Sequence, residues 1–176
     1  MEIIVCPLAL APELARTRKV ARAVSLLDPG TTFPVLGLGE GLHFQSGIHD
    51  VEADMDGLDA CRDHQMRAIV DFVSAWDRAA PMLVHCYAGI SRSTATAYIT
   101  ACAHNPDADE AEIARTLRKA SSGASPNRRF VALADEMLSR KGRMSAAIEA
   151  IGRGPSWFEI GANQPFSIPA HYEPHR

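Results

Sequence analysis

Short apolar runs alternate with amphipathic stretches through the first half of the chain. Three runs, at residues 3–5, 24–27 and 82–84, are three or four residues long, and turn signals such as Asp28-Pro29-Gly30 stand beside them. Runs of this length between turn residues favour buried strands over helices. A further short strand is predicted near residues 42–44.

Helical spacing is clearest between residues 61 and 76. The apolar positions there recur at the intervals of one helix face and are Met66, Ile69, Val70, Val73 and Trp76. Such a stripe predicts an amphipathic helix packed on a core. Further helices are predicted over residues 13–22, 93–104, 109–120, 127–138 and 143–151, and Asn127 is a predicted N-terminal cap.

Alternating strands and helices predict the α/β class, with a mostly parallel sheet of about four to five strands flanked by helices on both faces. One domain is expected over residues 1–152. Residues 153–176, rich in Gly, Pro and isolated aromatics, are expected to form a tail that packs on the domain or is partly mobile.

Composition narrows the classes of protein that the chain can represent. Hydrophobic residues make up 47% of the 176 residues, which is ordinary for a folded core, and the net charge is −3. Neither nucleic acid nor a membrane is an expected partner. The first residues do not resemble a secretory signal, so a cytoplasmic location with four free thiols is expected.

One segment near the middle of the chain combines a nucleophile with an anion-binding side chain. Five residues separate Cys86 from Arg92, and Ser93 follows at once. In a tight loop between a strand and a helix, backbone N–H groups converge on one point and the helix N-terminus adds partial positive charge. The predicted cradle for a tetrahedral oxyanion comprises Tyr87, Ala88, Gly89, Ile90, Ser91 and Arg92.

These side chains suit phosphoryl transfer to sulfur. Positive charge and a helix N-terminus favour the thiolate form of a cysteine, so Cys86 is expected to be a nucleophile. Arg92 can hold two phosphate oxygens with one planar fork, and Gly89 permits the positive φ that turns amides inward. Ser93 can donate a hydrogen bond to the sulfur when it becomes a leaving group.

The departing oxygen of the substrate needs a proton, which a carboxylic acid on another loop can supply. Candidate acids lie upstream of the motif, at Asp50, Asp54, Asp56 and Asp59. The residues alone leave this choice open, because the acid is selected by its distance to the leaving oxygen.

The segment His85-Cys86, five residues, Arg92-Ser93 resembles the signature of the cysteine-dependent protein tyrosine phosphatase superfamily. The flanking residues, and Ser125-Pro126-Asn127 before an aromatic-bearing helix, are similar to its dual-specificity-like branch and to a compact bacterial tyrosine-phosphatase-like group. The resemblance extends over residues 1 to about 151. In that branch the Pro-Asn step braces the phosphate loop, a role that falls here to Asn127.

This resemblance implies a role for each matching position. Cys86 is the nucleophile, Arg92 clamps the phosphate and Ser93 assists the departure of the thiolate. His85 orients the loop and tunes the cysteine. Asp50 occupies the place of the general acid, which then acts as base while a cysteinyl-phosphate intermediate is hydrolysed.

The expected function is hydrolysis of phosphate monoesters, with protein phosphotyrosine favoured over phosphoserine, phosphothreonine or a small phosphorylated molecule. No cofactor and no metal are implied, and no oligomeric state is predicted. Two alternatives keep the same loop: a sulfur-transfer enzyme of the rhodanese type, and a non-catalytic module that binds phosphorylated partners.

Overall fold

Strands come first in the chain and helices later, within the residues 1–175 that the computed structural model describes. A 3₁₀ turn at Leu8–Leu10 joins the first strand to the first helix. The elements are β1 (Glu2–Pro7), α1 (Ala11–Thr17), β2 (Arg22–Leu27), β3 (His43–Gly47), α2 (Asp63–Ser74), β4 (Met82–Cys86), α3 (Arg92–His104), α4 (Glu110–Ala120), α5 (Arg128–Met137), α6 (Arg143–Ile151), α7 (Trp157–Ile160) and β5 (Phe166–Pro169).

The five strands form one sheet in the order β3-β2-β4-β1-β5. β1 to β4 are parallel, and β5 pairs antiparallel with β1 at one edge. The predicted fold class is confirmed. Because the carboxyl ends of parallel strands meet at one edge, the segments after β2, β3 and β4 lie close together there.

Helices cover both faces of the sheet. The larger apolar cluster holds α2 to α6 against one face, and Ile69, Tyr98 and Phe130 are fully buried in it. A smaller cluster packs Ala11 and Ala15 of α1 on the other face. Helix α3 is almost entirely buried but only 13 residues long. No helix within residues 1–175 has both the length and the hydrophobicity to cross a membrane.

Two elements differ from the pattern-based prediction. The first helix occupies Ala11–Thr17 instead of residues 13–22, because Pro12 stands in its first turn and Lys19 adopts a left-handed conformation (φ 50°) that ends it. The segment after Gly152 forms α7 and β5. A four-residue edge strand that ends in proline carries little pattern, so its position depends on the exposed edge of β1.

Candidate active site

The predicted cradle lies at the carboxyl edge of the sheet, between the end of β4 and the start of α3. Cys86 is 2% exposed and lines a cleft of about 450 Å³. Asp28, after β2, and Asp50, after β3, also line this cleft. The topology therefore brings the cysteine and two carboxylates to one opening.

The carbonyl groups of the loop are turned outward and paired. Tyr87 O accepts from Leu8 N (3.0 Å), and Ile90 O accepts from Ser125 N (2.9 Å) and Thr94 Oγ1 (2.5 Å). Ala88 O and Gly89 O accept from Asn163, at 2.9 and 2.7 Å. The N–H groups of residues 88–91 donate to no protein acceptor in the described part of the chain. They remain available to an anion.

Gly89 is required at its position for two reasons. Its φ of +72° lies in the left-handed region, and a Cβ atom there would come within 2.9 Å of backbone atoms of Cys6 and Pro7. The loop thus packs directly on the end of β1.

Cys86 Sγ and Ser93 Oγ are 3.1 Å apart at the first turn of α3. The hydroxyl can donate to the sulfur, and the N-terminus of the helix favours negative charge at the same place.

The Arg92 guanidinium is 3% exposed and held at one end. Its Nη1 donates to Asp28 Oδ1 (2.7 Å) and to Ile48 O (2.6 Å). Its Nε is buried without a hydrogen-bond partner among residues 1–175. The edge that Nε forms with Nη2 is therefore the one left to bind two oxygens of an anion.

Asp50 lies beside the mouth of the loop. Its Oδ1 accepts from Ser91 Oγ (2.7 Å) and Asn127 Nδ2 (3.0 Å), and its Oδ2 is 3.7 Å from Arg92 Nε. Asn127 Oδ1 accepts from Phe130 N and caps α5. Asn127 thus combines the cap with a contact that fixes Asp50 against the loop.

The three other candidate acids lie outside the cleft lining. Asp54 accepts from Ala60 N and from Arg62, and these two hydrogen bonds hold the pKa of its carboxyl below the ordinary value. Asp59 contacts the same guanidinium, and Asp56 is exposed. The geometry brings Asp50 to the loop and leaves the others apart from it.

Behind the loop, a chain of hydrogen bonds crosses three neighbouring strands. His85 Nε2 is 2.5 Å from Ser25 Oγ, which is 2.7 Å from His43 Nε2, and His43 Nδ1 is 3.2 Å from Gln45 Nε2. His85 Nδ1 lies 3.3 Å from Cys86 O, a carbonyl that can only accept, so this nitrogen carries a proton. Every donor then points toward Cys86, and both imidazoles are neutral.

Burial supports the neutral form of these imidazoles. Loss of solvation lowers the pKa of His85 from 6.5 to about 4, and it lowers the pKa of His43 as well. A neutral His85 donates to the Cys86 carbonyl without placing a full positive charge behind the loop.

Aromatic and aliphatic side chains form the upper walls of the cleft. Tyr87, Leu58 and Trp157 line it and are each at least one-third exposed. Arg153 also lines it and pairs with Glu52 at 2.7 Å. The segment between α6 and α7 therefore forms part of the opening.

Some residues of the site were not anticipated from the sequence. Asp28 follows an apolar strand directly, which places it at the carboxyl edge of a parallel sheet, but its Asp-Pro-Gly context was interpreted only as a turn. Ser25 and His43 carried a weak signal, as polar residues within apolar runs. Asn163 carried none, because nothing local links the C-terminal segment to the loop.

No group of three or more His, Cys, Asp or Glu side chains in the described part of the chain is arranged to hold a metal ion. The four cysteines form no disulfide there.

Comparison with known proteins agrees with this geometry. The protein-tyrosine phosphatase family matches residues 58–125, which include the loop but not Asp50. No curated protein matches the chain significantly.

Solved structures share the fold at low sequence identity. The PTP-2 phosphatase of Cydia pomonella is 19% identical with a TM-score of 0.61, over 77% of this chain and 85% of that one. Human DUSP28 is 15% identical with a TM-score of 0.59, over 79% and 92%. PTPMT1, solved in complex with PI(5)P, is 14% identical with a TM-score of 0.57, over 84% and 92%.

The family match covers the loop and the helices that support it, and the shared fold extends over most of the chain. The chain therefore has the fold of these solved phosphatases, and its segment 58–125, which contains the loop, matches the protein-tyrosine phosphatase family.

Proposed function

We propose that this protein is a phosphatase that hydrolyses aryl phosphate monoesters, above all protein phosphotyrosine, through a cysteinyl-phosphate intermediate. The observation that carries the proposal is the convergence of three groups on one cleft: the Cys86 thiol, the free edge of Arg92 and the inward N–H groups of residues 88–91. Together they match the nucleophile, the charge and the oxygens of a bound phosphoryl group.

In the first step, Cys86 Sγ attacks phosphorus and the bond from phosphorus to the ester oxygen breaks. Asp50 donates a proton to that oxygen, which leaves as a phenol. In the second step, water attacks phosphorus and the Asp50 carboxylate takes a proton from it. The sulfur–phosphorus bond breaks, Ser93 donates a hydrogen bond to the sulfur, and inorganic phosphate is released.

The side chains that line the cleft support an aryl substrate. Cys86 is buried, and the exposed side chains of Tyr87, Leu58 and Trp157 line the same cleft. A phenyl ring holds the phosphoryl group farther from the peptide backbone than the single methylene of phosphoserine does, which suits a buried nucleophile. The ring also buries apolar area against these side chains.

The nucleophile is tested with p-nitrophenyl phosphate and the Cys86→Ser variant. Turnover should fall at least ~10³-fold, because a serine hydroxyl is a weak nucleophile at neutral pH, while inorganic phosphate still binds. Cys61→Ser is the matched control, since Cys61 is also buried but lies outside the cleft. A wild type no faster than Cys86→Ser would make the loop a binding module instead.

The acid is tested with two leaving groups. In the Asp50→Asn variant, kcat for phenyl phosphate should fall about 10²-fold. The kcat for p-nitrophenyl phosphate should fall much less, because its leaving group hardly needs a proton. Asp54→Asn and Asp56→Asn are the controls. If either control shows this dependence and Asp50→Asn does not, the acid is misassigned.

Substrate class is tested by comparing kcat/KM for phosphotyrosine and phosphoserine peptides of one sequence. Trp157→Ala should reduce the preference for phosphotyrosine by removing one wall. Equal kcat/KM for both peptides in the wild type would refute the aryl preference. Turnover of PI(5)P above both peptides would point instead to a phosphorylated lipid headgroup.

A further inference from the structure

A single residue of the C-terminal segment holds two consecutive carbonyls of the phosphate loop. Asn163 lies between α7 and β5 and is 6% exposed. Its backbone N–H donates to Ala88 O (2.9 Å), and its Nδ2 donates to Gly89 O (2.7 Å) across 74 residues of chain. No other described residue donates to these two carbonyls.

This pairing determines where the loop amides point. In a trans peptide the C=O and N–H groups point in opposite directions. Holding the carbonyls of Ala88 and Gly89 outward therefore turns the N–H groups of Gly89 and Ile90 toward the cleft. Both peptide units flank Gly89, whose missing side chain leaves their rotation least restricted, so an external contact has the most effect here.

Asn163 is itself fixed from behind. Its Oδ1 accepts from Ser121 Oγ at 3.2 Å. Gly123, two residues after Ser121, leaves space for the Asn163 side chain, because a Cβ atom at position 123 would overlap Asn163 Oδ1. The turn after α4 and the C-terminal segment thus orient one amide group toward the loop.

We infer that Asn163 is a positioning residue of the active site, which holds the inward amides of Gly89 and Ile90 and thereby sets the affinity of the loop for oxyanions. This inference rests on the proposed function only in taking the oxyanion to be a phosphoryl group. It makes the segment after Gly152 part of the catalytic apparatus.

The test compares Asn163→Ala with Asn105→Ala. Asn105 is equally buried and also holds the C-terminal segment, through Nδ2 to Ala170 O and through Oδ1 to Tyr172 N. It contacts no atom of the phosphate loop. Both variants remove buried hydrogen bonds, so both lower the melting temperature, and only Asn163→Ala should change the chemistry of the loop.

The readout is the alkylation rate of Cys86 by iodoacetate, an anion, relative to iodoacetamide, which is neutral. Asn163→Ala should lower this ratio about tenfold and raise the inhibition constant of inorganic phosphate about tenfold. This is the effect of losing one charge-assisted hydrogen bond from a loop amide to the bound anion. Asn105→Ala should change both within twofold. Equal ratios for wild type and Asn163→Ala would overturn the inference.

Two variants that keep Asn163 extend the test. Gly123→Ala should displace the side-chain amide of Asn163 and lower the alkylation ratio as much as Asn163→Ala does. Ser121→Ala, the mildest change, should lower this ratio less. No change in either folded variant would count against the inference. Because alkylation and phosphate binding require no turnover, an inactive wild type with these effects would refute the proposed function alone.

Discussion

Replacing Gly89 by alanine tests the packing of the phosphate loop on the sheet. The new Cβ atom would meet the Cys6 and Pro7 backbone at 2.9 Å, and this end of β1 cannot move freely, because both residues are paired with β4. The φ of +72° adds about 1–2 kcal/mol of strain, and overpacking adds about 1–3 kcal/mol. The free energy of unfolding should fall by about 2–5 kcal/mol.

Gly142→Ala is the matched control for this change. Gly142 has a φ of +83°, but a Cβ atom there would meet nothing within 4 Å, so only the strain of about 1–2 kcal/mol applies. Urea denaturation of both variants gives the difference. Gly89→Ala should also bind inorganic phosphate more weakly, since any relief of the overlap moves the loop. Equal destabilisation of the two variants, with phosphate binding unchanged, would refute this account of the loop.

Three further predictions concern the groups around the loop. His85 has a lowered pKa, so the unfolded chain takes up a proton first as the pH falls from 6.5 toward 4, and about 3 kcal/mol of stability should be lost over that window. Urea denaturation of wild type and His85→Gln checks this, with exposed His171→Gln as control; parallel curves of wild type and His85→Gln would contradict it. Arg92→Lys should reduce kcat/KM for p-nitrophenyl phosphate at least ~10²-fold, because lysine cannot contact Asp28 and two phosphate oxygens together; near-normal kinetics would show that charge alone suffices. Asp28→Asn should reduce kcat/KM about tenfold while Cys86 alkylation by iodoacetamide stays unchanged, and a change in that alkylation instead would place the role of Asp28 at the sulfur.

The central part of the site was predictable because its residues lie close together in the sequence. Cys86, Gly89, Arg92 and Ser93 lie within eight residues between a strand and a helix, and both elements form where the apolar pattern indicates. The N-terminal cap at Asn127 was likewise predictable from the residues next to it. Short-range hydrogen bonds and burial determine such segments with little help from the rest of the chain.

The contacts that complete the loop were not predictable in this way. The partners of Arg92, Ser91 and Gly89 lie 64, 41 and 74 residues away along the chain, at Asp28, Asp50 and Asn163. The sequence placed Asp50 only among several acids, and it carried no sign that Asn163 reaches the loop.

The sequence by itself therefore determined the candidate nucleophile, the candidate anion cradle and the α/β alternation, since each depends on residue types at fixed short spacing. Only the tertiary structure decided which carboxylates face the cleft and which amide holds the loop. The order of strands in a sheet brings distant segments together at one edge, and the distances between their side chains exist only once that sheet has formed.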